Sequence, residues 1–415
     1  MTVVKKYIII GNGTAAVGCV EGIRSVDKDG SITIISAENH HVYCRPLISY
    51  YLEDKTDLQR IKYRPDDFYE KSGCTVLYGR RAERIDEKQK KVILDGGESL
   101  NYDALCVATG SSPFVPPMDG LDSVKKKYSF MTLDDTLAIE KAVKKDSRVL
   151  IVGAGLIGLK CAEGLHGKVK SITVCDLADR VLSSILDVES AVIVQRHLEQ
   201  NGITFMLGDS VSKFDGNTAT MKSGVKTEFD ILILAVGVRA NTSLVRDIGG
   251  ACSRGITVDN CMRTSIADIY AAGDCTESTD ISDNKVKVMA LLPNAYIQGH
   301  CAGVNMAGGN GRFDNAIPMN SIGFFGLHAM TVGSRFDDGD VYEEKSENSI
   351  KKLFVKDDKL TGFVIIGNVE RTGIYTNLIR TQTDLKSIDF ESLKKSPNLF
   401  AFDADYRRSK LGGVV

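Results

Sequence analysis

The stretch that decides the fold is YIIIGNGTAA at residues 7–16, which has a close counterpart in VLIVGAGLIG at residues 149–158. Each copy is a short apolar run, typical of a buried strand, followed by a loop in which two glycines stand two residues apart. A helical stretch follows each loop, to about Val26 in the first copy and over Leu159–His166 in the second. The sequence therefore predicts two strand–loop–helix units.

Each unit continues into a second strand that closes on an acidic residue. In the first unit the strand is Ser31–Ser36 and the acid is Glu38, and in the second unit they are Ser171–Cys175 and Asp176. A single glycine loop can be an ordinary turn, and a single strand-end acid can be an ordinary solvated side chain. Two complete strand–loop–helix–strand–acid units predict two dinucleotide sites in one chain.

The glycine loops supply what a pyrophosphate needs. The first glycine allows a tight turn, the second allows close approach of the backbone to the phosphates, and the third small residue lets the helix pack on the strand. The free N–H groups and positive dipole end of the helix then face the phosphates. The predicted cofactor-binding residues are Gly11, Gly13, Thr14, Ala15 and Ala16 in the first loop, and Gly153, Gly155, Leu156, Ile157 and Gly158 in the second.

The two acids predict contacts to ribose. Glu38 and Asp176 each stand where a carboxylate can accept a hydrogen bond from a ribose hydroxyl. A carboxylate also repels a 2′-phosphate, so Asp176 favours NADH over NADPH in the second site. Arg180, four residues further on, would act in the opposite direction if it reached the same phosphate.

Length, charge and cysteine usage narrow the class of protein. The 415 residues predict two to four domains, and the net charge of −2 without a long basic block argues against nucleic acid or an anionic membrane as partner. No apolar run approaches the roughly 20 residues of a membrane span, so a cytoplasmic protein is expected. The ten cysteines form no C-x-x-C pair and the six histidines show no metal spacing, which disfavours a zinc ribbon, an internal iron–sulfur cluster and any other metal site.

Several further segments resemble one family. Residues 255–274, which end in IYAAGD, look like the second FAD motif of the pyridine nucleotide-disulfide oxidoreductases, and residues 108–110 (ATG) and 235–237 (AVG) look like their two central motifs. YCRPL at residues 43–47, with Ser49, resembles a narrower group that contains NADH:rubredoxin reductases and the flavin region of assimilatory nitrite reductases. The resemblance implies FAD in the first site and NADH in the second.

The resemblance also implies roles for particular residues. Asp274 would hold the FAD ribityl chain, and the helix that begins near Pro293 would face the pyrimidine edge of the flavin. Beside the first glycine loop, the expected FAD contacts are Glu38, Arg45, Pro46, Thr109, Gly110, Gly273, Asp274 and Pro293. Beside the second loop, the expected NADH contacts are Asp176 and Gly237.

Two residues depart from the patterns of related groups, and Cys44 is ambiguous. Lys160 stands where the family often has a glutamate near the nicotinamide, and Tyr50 stands where ferredoxin-reductase relatives often have a lysine. Cys44 has no second cysteine four residues away, so the dithiol of the classical disulfide reductases is missing. Single-cysteine relatives place one redox cysteine close to this position, which leaves Cys44 either a redox thiol or a small residue without a redox role.

Together these features predict an α/β fold with two Rossmann-like dinucleotide-binding domains and a smaller C-terminal α/β interface domain. We expect FAD in residues 1–112 and 246–317, NADH in residues 113–245, and the interface domain in residues 318–415. By resemblance, the interface domain supports either a homodimer or docking of a partner in a hetero-complex.

The leading functional expectation is an enzyme that moves hydride from NADH to the flavin. The electrons would then pass to a small redox carrier protein, such as a rubredoxin, or to an iron–sulfur subunit. One alternative is a single-cysteine NADH oxidase or coenzyme A-disulfide reductase that uses Cys44 as its catalytic residue. A second alternative is an NADH-sensing flavoprotein that acts through partner binding and not through catalysis.

Overall fold

A computed structural model describes residues 4–411, and these form two compact units. The first unit contains residues 4–175, Ser210–Thr279 and Val286–Asp314. The second contains Asp176–Asp209, Asp280–Lys285 and residues 315–411. Strands and helices are mixed throughout, so the predicted α/β class is confirmed.

The strands and helices have the following bounds. The strands are β1 Lys6–Ile10, β2 Ser31–Ser36, β3 Cys74–Tyr78, β4 Ala82–Asp86, β5 Lys91–Leu94, β6 Ser99–Asn101, β7 Ala104–Val107, β8 Ser111–Pro113, β9 Lys127–Tyr128, β10 Arg148–Val152, β11 Ser171–Asp176, β12 Ile203–Leu207, β13 Val211–Asp215, β14 Thr218–Met221, β15 Lys226–Glu228, β16 Ile231–Leu234, β17 Val238–Ala240, β18 Ile256–Thr257, β19 Ile269–Ala271, β20 Thr276–Thr279, β21 Val286–Val288, β22 Met319–Phe324, β23 Leu327–Gly333, β24 Asp340–Lys345, β25 Ile350–Lys356 and β26 Lys359–Ile366. The α-helices are α1 Thr14–Val26, α2 Ile48–Leu52, α3 Phe68–Lys71, α4 Leu133–Ala142, α5 Leu156–Leu165, α6 Val188–Gln200, α7 Ser243–Arg246, α8 Leu292–Met306, α9 Gly373–Thr381, α10 Phe390–Lys395 and α11 Ala404–Leu411. Short 3-10 helices cover Arg45–Leu47, Leu121–Ser123, Leu385–Ser387 and Leu399–Ala401.

The first glycine loop follows the central strand of a parallel sheet. The strand order is β19-β7-β1-β2-β3, so β1 lies between β2, which follows it in the chain after α1, and β7, which comes much later. The four apolar residues of β1 are buried on both faces, as a continuous apolar run in a covered parallel sheet should be. A crevice opens at the carboxyl end of such a strand, where the chain leaves in opposite directions on its two sides.

The second glycine loop stands in the same place in a second sheet. Strand β10 pairs in parallel with β11 on one side and with β16 on the other, and β9 lies beyond β16. The residues of β10 after Arg148 are buried, like those of β1 after Lys6. The two Rossmann-like sheets that the sequence predicts are therefore present, and each places its glycine loop at the point where the strand order reverses.

Helices α1 and α8 pack unusually close because glycines line both contact faces. A Cβ atom built on Gly18 or Gly22 of α1 would lie 2.2 Å from a backbone oxygen of α8, and one on Gly299 or Gly303 of α8 would lie 1.9 or 2.1 Å from a backbone oxygen of α1. Only glycine permits this approach at these four sites. The contact brings the N-terminal ends of both helices to the carboxyl end of β1.

The second unit is built on an antiparallel sheet in the order β22-β23-β26-β25-β24. The predicted hairpin around Asp357 and Asp358 is confirmed, because these two residues connect β25 to β26 with positive φ angles of 51° and 56°. Helix α9 covers the sheet, and the core between them is apolar. Its fully buried members include Leu353, Leu360, Phe363, Tyr375, Leu378 and Ile379.

The boundaries of two helices differ from those expected from the sequence. Helix α5 begins at Leu156 and not at Leu159, because Gly155 is its N-cap and the chain turns into the helix directly after the loop. Helix α8 begins at Leu292, one residue before the expected Pro293, which lies in the first turn, where a missing N–H costs nothing. Within residues 4–411 we find no helix with both the length and the apolar character that a membrane crossing requires.

Candidate functional site

A cavity opens at the carboxyl end of β1 in the first unit. It brings together most of the residues that the sequence predicts for FAD, namely Gly11, Gly13, Thr14, Ala15, Glu38, Arg45, Pro46, Thr109, Gly110, Gly273 and Asp274. Ala16 is fully buried in α1, and Pro293 lies in the first turn of α8 beside the lining residues Leu292 and Ala295. These segments come from four distant parts of the chain, so the fold alone brings them together.

The geometry of the first loop fits a pyrophosphate. Gly11 has a φ of +113°, and a Cβ there would lie 2.1 Å from the carbonyl oxygen of Ala108, so the loop and the end of β7 are in direct contact. A Cβ on Gly13 would have no neighbour within 4 Å, which means that its backbone faces open space in the cavity. No side chain caps α1 and its first turn carries no acid, so its N–H groups remain available for an anion.

A hydrogen-bond network shapes the part of the cavity around Glu38. The Tyr43 hydroxyl donates to Glu38 Oε2 at 2.7 Å and accepts the backbone N–H of Leu133 at 2.9 Å. The Arg45 guanidinium pairs with Glu38 Oε1 at 2.5 Å. Each carboxylate oxygen has a second lone pair, so Glu38 can still accept a hydroxyl while Arg45 holds its orientation.

Asp274 is the second acid of the lining and comes directly after Gly273. Burial raises the pKa of the Asp274 carboxyl, while the nearby Arg45 guanidinium and Ser111 hydroxyl favour its charged form. Arg45 thus pairs with one acid of the cavity and acts electrostatically on the other. The sequence places His40 and His41 on the loop after Glu38, at the adenine side or in solvent, and the structure puts both in the lining. Other lining residues were not predicted because only their neighbours in space identify them; they include Asn12, Ser36, Ala37, Tyr43, Ser111, Met131 and Ala290.

The two adjacent histidines have different surroundings. His40 Nε2 lies 2.7 Å from Asp134 Oδ1, which ties the loop after β2 to the first turn of α4. The centre of the His41 ring lies 4.8 Å from that of the Tyr69 ring, with the two rings tilted by 56°, and His41 Nε2 is buried without a hydrogen-bond partner among the described residues. Because His41 also lines the cavity, a polar ligand there would satisfy a nitrogen that the protein leaves unpaired.

Cys44 is half-buried between two cavity residues, but it is not itself in the lining. Its backbone N–H donates to the carbonyl of Ile61 at 2.8 Å, and it caps the 3-10 helix that starts at Arg45. Burial raises the pKa of the Cys44 thiol, which disfavours the thiolate that redox and nucleophilic chemistry require. No cysteine lines this cavity among the residues that the structure describes.

The second glycine loop repeats the features of the first. Gly153 has a φ of +118°, and a Cβ there would lie 2.2 Å from the carbonyl oxygen of Ala235, just before Val236 and Gly237. A Cβ on Gly155 would have no neighbour within 4 Å, and α5 has neither a side-chain cap nor an acid in its first turn. A Cβ on Gly158 would lie 2.0 Å from the carbonyl oxygen of Gly153, so this third glycine is required for packing. The loop therefore offers the same open backbone for a second pyrophosphate.

Asp176 and Arg180 belong to the second unit. The Asp176 carboxylate accepts the backbone N–H of Ala178 at 2.8 Å, which fixes the turn after β11. The Arg180 guanidinium pairs with Asp179 at 2.8 Å and donates to the backbone carbonyls of Ser183 and Leu186. Arg180 is thus engaged by its own loop, which weakens the argument that it recruits a 2′-phosphate.

The two departures Tyr50 and Lys160 lie against each other. The Lys160 ammonium lies 4.8 Å from the centre of the Tyr50 ring and pairs with the buried Glu163 one helical turn further along α5. Helix α2, which carries Tyr50, packs on α5, where Gly164 gives room for Leu52. This contact joins α2, which follows the 3-10 helix at Arg45, to α5, which follows the second glycine loop.

Comparison with known proteins identifies the family of this chain. The family model described as pyridine nucleotide-disulphide oxidoreductase matches residues 5–299. The chain is 31% identical over 391 residues to the NADH-dependent phenylglyoxylate dehydrogenase subunit epsilon of Aromatoleum evansii, with 92% of each chain covered. It is 26% identical to the NADH-rubredoxin oxidoreductase of Clostridium acetobutylicum over 92% of this chain and 96% of the relative.

Other matches are longer than this chain. The chain spans 48% of the assimilatory nitrate reductase electron transfer subunit of Bacillus subtilis, with 31% identity over 88% of its own length. Among solved structures, an NAD-dependent persulfide reductase from A. fulgidus matches with a TM-score of 0.85 and 26% identity, covering 93% of this chain and 78% of that one. The chain therefore belongs to the pyridine nucleotide-disulphide oxidoreductase family and is an NADH-dependent flavoprotein oxidoreductase with FAD and NADH as its cofactors.

Proposed function

We propose that this enzyme takes hydride from NADH onto FAD and delivers the electrons to a small redox carrier protein, such as a rubredoxin, or to an iron–sulfur subunit. The observation that carries the proposal is the lining of the FAD cavity, in which the described residues place no thiol. A chain that reduced small disulfides would need a thiolate beside the flavin, and the thiol nearest in sequence, Cys44, lies outside the lining with a raised pKa.

Relatives with matching names support the carrier as acceptor. The Clostridium acetobutylicum relative is an NADH-rubredoxin oxidoreductase, and the Bacillus subtilis relative is an electron transfer subunit. The Aromatoleum evansii relative is itself one subunit of a larger dehydrogenase. A protein carrier needs only close approach to the flavin edge, so the enzyme requires no substrate-sized pocket of its own beyond the two dinucleotide sites.

The chain's own residues would bind and orient the cofactors. FAD, when bound, supplies the capacity to accept a hydride and to release electrons one at a time. The open backbone of Gly13 and the first turn of α1 would receive its pyrophosphate, Glu38 a ribose hydroxyl, and Asp274 the ribityl chain. Arg45, which pairs with Glu38 and whose charge favours the ionised form of Asp274, would add a positive charge to the site.

NADH would bind at the second loop. The open backbone at Gly155 would receive the pyrophosphate, and Asp176 would accept from the 2′-hydroxyl of the adenosine ribose. Because Arg180 is engaged by Asp179 and two backbone carbonyls, the carboxylate is the group that decides between NADH and NADPH. Gly237 follows the strand that contacts the loop and completes the expected site.

We keep the domain assignment from the sequence as part of this proposal. Residues 1–112 with 246–317 would bind FAD, residues 113–245 would bind NADH, and residues 318–415 would form the interface domain. The antiparallel sheet β22–β26 with α9 lies within this last segment and has its own apolar core. A domain of this kind can present a surface to a carrier, to a partner subunit or to a second copy of the chain.

The proposal is tested by comparing electron acceptors at one NADH concentration. We expect the NADH-reduced enzyme to reduce oxidised rubredoxin or a low-potential ferredoxin at least about tenfold faster than oxygen, coenzyme A disulfide or hydrogen peroxide. The measurement is NADH oxidation at 340 nm with each acceptor at matched electron equivalents. Faster turnover with a disulfide or with oxygen than with both carriers would contradict the proposal.

A further inference from the structure

A short two-stranded ladder connects the two glycine-loop sites of the first unit. Strand β8 begins directly after residues 108–110 (ATG), and strand β17 begins directly after residues 235–237 (AVG). The two strands pair antiparallel, with Ala240 opposite Ser111 and Val238 opposite Pro113. Each strand therefore begins directly after the tripeptide that contacts the first glycine of the loop in the same sheet.

The tripeptides before the two strands make equivalent contacts with the two glycine loops. The Ala108 carbonyl lies 2.1 Å from the position of a Cβ on Gly11, and the Ala235 carbonyl lies 2.2 Å from the position of a Cβ on Gly153. Both glycines have a φ near +115°, at +113° and +118°. The ladder is thus fixed at one origin to the FAD loop and at the other to the NADH loop, with only three residues in each strand between them.

Asn241 closes the ladder at its FAD end with four hydrogen bonds. Its side-chain Nδ2 donates to the Thr109 carbonyl at 2.9 Å, and its Oδ1 accepts from the Ser112 hydroxyl at 2.8 Å. Its backbone N–H donates to the Gly110 carbonyl at 2.9 Å, and its carbonyl accepts from the Thr109 hydroxyl at 2.9 Å. Thr109 and Gly110 line the FAD cavity, so Asn241 holds part of that lining without contacting the cavity itself.

The NADH end has a different closure. The backbone N–H of Phe114 donates to the carbonyl of Gly237 at 2.9 Å, and the Arg239 guanidinium covers the Phe114 ring at 4.5 Å. This end relies on backbone and stacking contacts, while the FAD end relies on one amide side chain. A single substitution at Asn241 can therefore loosen the ladder on the FAD side while leaving the NADH side intact.

We propose that Asn241 is a positioning residue for hydride transfer, because it fixes the FAD cavity relative to the NADH glycine loop through the β8–β17 ladder. The inference rests on the proposed roles of the two loops. Transfer of a hydride requires the two reacting rings to meet within a narrow range of distance and angle, and a displacement of about 1 Å can cost about 100-fold in rate. Binding of each cofactor to its own loop does not depend on that alignment.

The test compares three variants in rapid mixing with NADH under anaerobic conditions. Asn241→Ala removes both side-chain hydrogen bonds, and Ser112→Ala removes only the bond to Oδ1 from an exposed serine outside the cavity. The control is Asn305→Ala, which removes side-chain hydrogen bonds to the carbonyls of Cys261, Cys301 and Gly311 at the C-terminal end of α8, in the same unit. Each variant is first brought to full FAD content.

We expect Asn241→Ala to lower the limiting rate of flavin reduction about 10- to 100-fold, with the NADH concentration for half-maximal rate within about twofold of wild type. Ser112→Ala should show a smaller loss of the same kind, and Asn305→Ala should keep the wild-type rate. The long-wavelength charge-transfer absorption that follows NADH mixing should weaken in the order of the rate losses. If the side chains only stabilised the fold, every variant would lose thermal stability. The limiting rate of flavin reduction would then not fall separately from the NADH concentration for half-maximal rate.

Three results would overturn the inference. The first is an unchanged limiting rate in Asn241→Ala at full FAD content, and the second is a loss of rate equal to that of Asn305→Ala. The third is loss of FAD from Asn241→Ala together with a wild-type rate in Ser112→Ala. A wild-type protein whose bound flavin is not reduced by NADH would contradict the proposed function itself, so the two failures are distinct.

Discussion

At the scale of single residues, the proposed role of Asp176 is to decide the choice of nicotinamide cofactor. Its carboxylate ends β11 and accepts the backbone N–H of Ala178, and each carboxylate oxygen can accept more than one hydrogen bond. We expect Asp176→Ala to lower kcat/KM for NADH about 10- to 100-fold, the worth of a hydrogen bond to a charged group, and to raise it for NADPH by removing the repulsion. The two kcat/KM values are measured with one common acceptor.

Asp176→Asn is the matched control for this prediction. It keeps the size and the acceptor oxygen but removes the charge, so it should relieve the repulsion of NADPH while keeping part of the NADH affinity. An unchanged ratio of the two kcat/KM values in both variants would mean that another residue discriminates between the cofactors.

Gly155 is the position at which a substitution can test whether the two glycine loops bind different dinucleotides. An added Cβ would meet no protein atom within 4 Å, and the backbone has a φ of −83°, so valine fits without strain. We expect Gly155→Val to abolish flavin reduction by NADH while FAD stays bound at about one per chain, because the side chain would occupy the space of the pyrophosphate. Absorbance at 450 nm before and after NADH addition measures both.

Gly13→Val is the reciprocal variant. Gly13 is equally open, with a φ of −101°, so the same side chain should remove FAD in a protein that still folds. Loss of FAD from Gly155→Val, or retention of NADH-reducible FAD in Gly13→Val, would show that the two loops do not serve separate cofactors.

At the scale of elements, a buried lysine joins α6 to the C-terminal sheet within the second unit. The Lys352 ammonium, on β25, lies 2.8 Å from Asp187 and 2.6 Å from Glu189 at the start of α6, and 3.3 Å from Glu343 on β24. Burial opposes the charge of Asp187, but hydrogen bonds from Lys352 and Ser190 outweigh it and lower the pKa of that carboxyl. Hydrogen bonds from Lys345 and Lys352 likewise lower the pKa of Glu189.

These shifts predict a pH dependence of stability. A lowered pKa in the folded protein means that the stabilisation is present above the unfolded pKa of about 4 and is lost as the pH falls through the folded pKa. We expect Lys352→Met to lower the free energy of unfolding at pH 7 by more than the loss of an exposed ion pair does, since it takes the buried ammonium away from the half-buried Asp187 carboxylate. The difference between variant and wild type should shrink as the pH falls below 4, in urea titrations at several pH values.

Lys386→Met provides the control, because Lys386 is exposed and pairs only with Asp358 within the described residues. An exposed pair contributes about 0–1 kcal/mol, so its removal should change stability little at any pH. Equal effects of the two substitutions at pH 7 would mean that the Lys352 cluster does not stabilise the second unit.

Local sequence patterns predicted the elements that hold the cofactors. Residues 7–10 and 149–152 are continuous apolar runs, and the glycine loops after them have a spacing that few other structures require. Both sheets, both loops and the hairpin at Asp357 are therefore visible in short windows of sequence. The close packing of α1 on α8 was not predicted, because Gly18 and Gly22 disfavour a helix until their contact with α8 is known.

At the scale of the whole molecule, the features that sequence reasoning missed all join distant segments. Strands β8 and β17 have three residues each and contain no alternating pattern, and Asn241 lies 129 residues from its partner Ser112. Tyr50 and Lys160 were recognised as separate departures from the family pattern, but only the structure shows that they touch. Site residues contributed by one segment can be predicted locally, while the alignment of two sites depends on contacts that only the fold creates.

The central claim is that electrons pass from NADH through FAD to a protein carrier without a thiol intermediate. Its most direct test uses enzyme reduced anaerobically with one equivalent of NADH and then mixed rapidly with oxidised rubredoxin or ferredoxin. We predict that Cys44→Ser, a nearly isosteric change outside the cavity lining, transfers electrons to the carrier within about twofold of the wild-type rate. A variant that is still reduced by NADH but no longer passes electrons to any acceptor would contradict the account and identify Cys44 as the redox thiol.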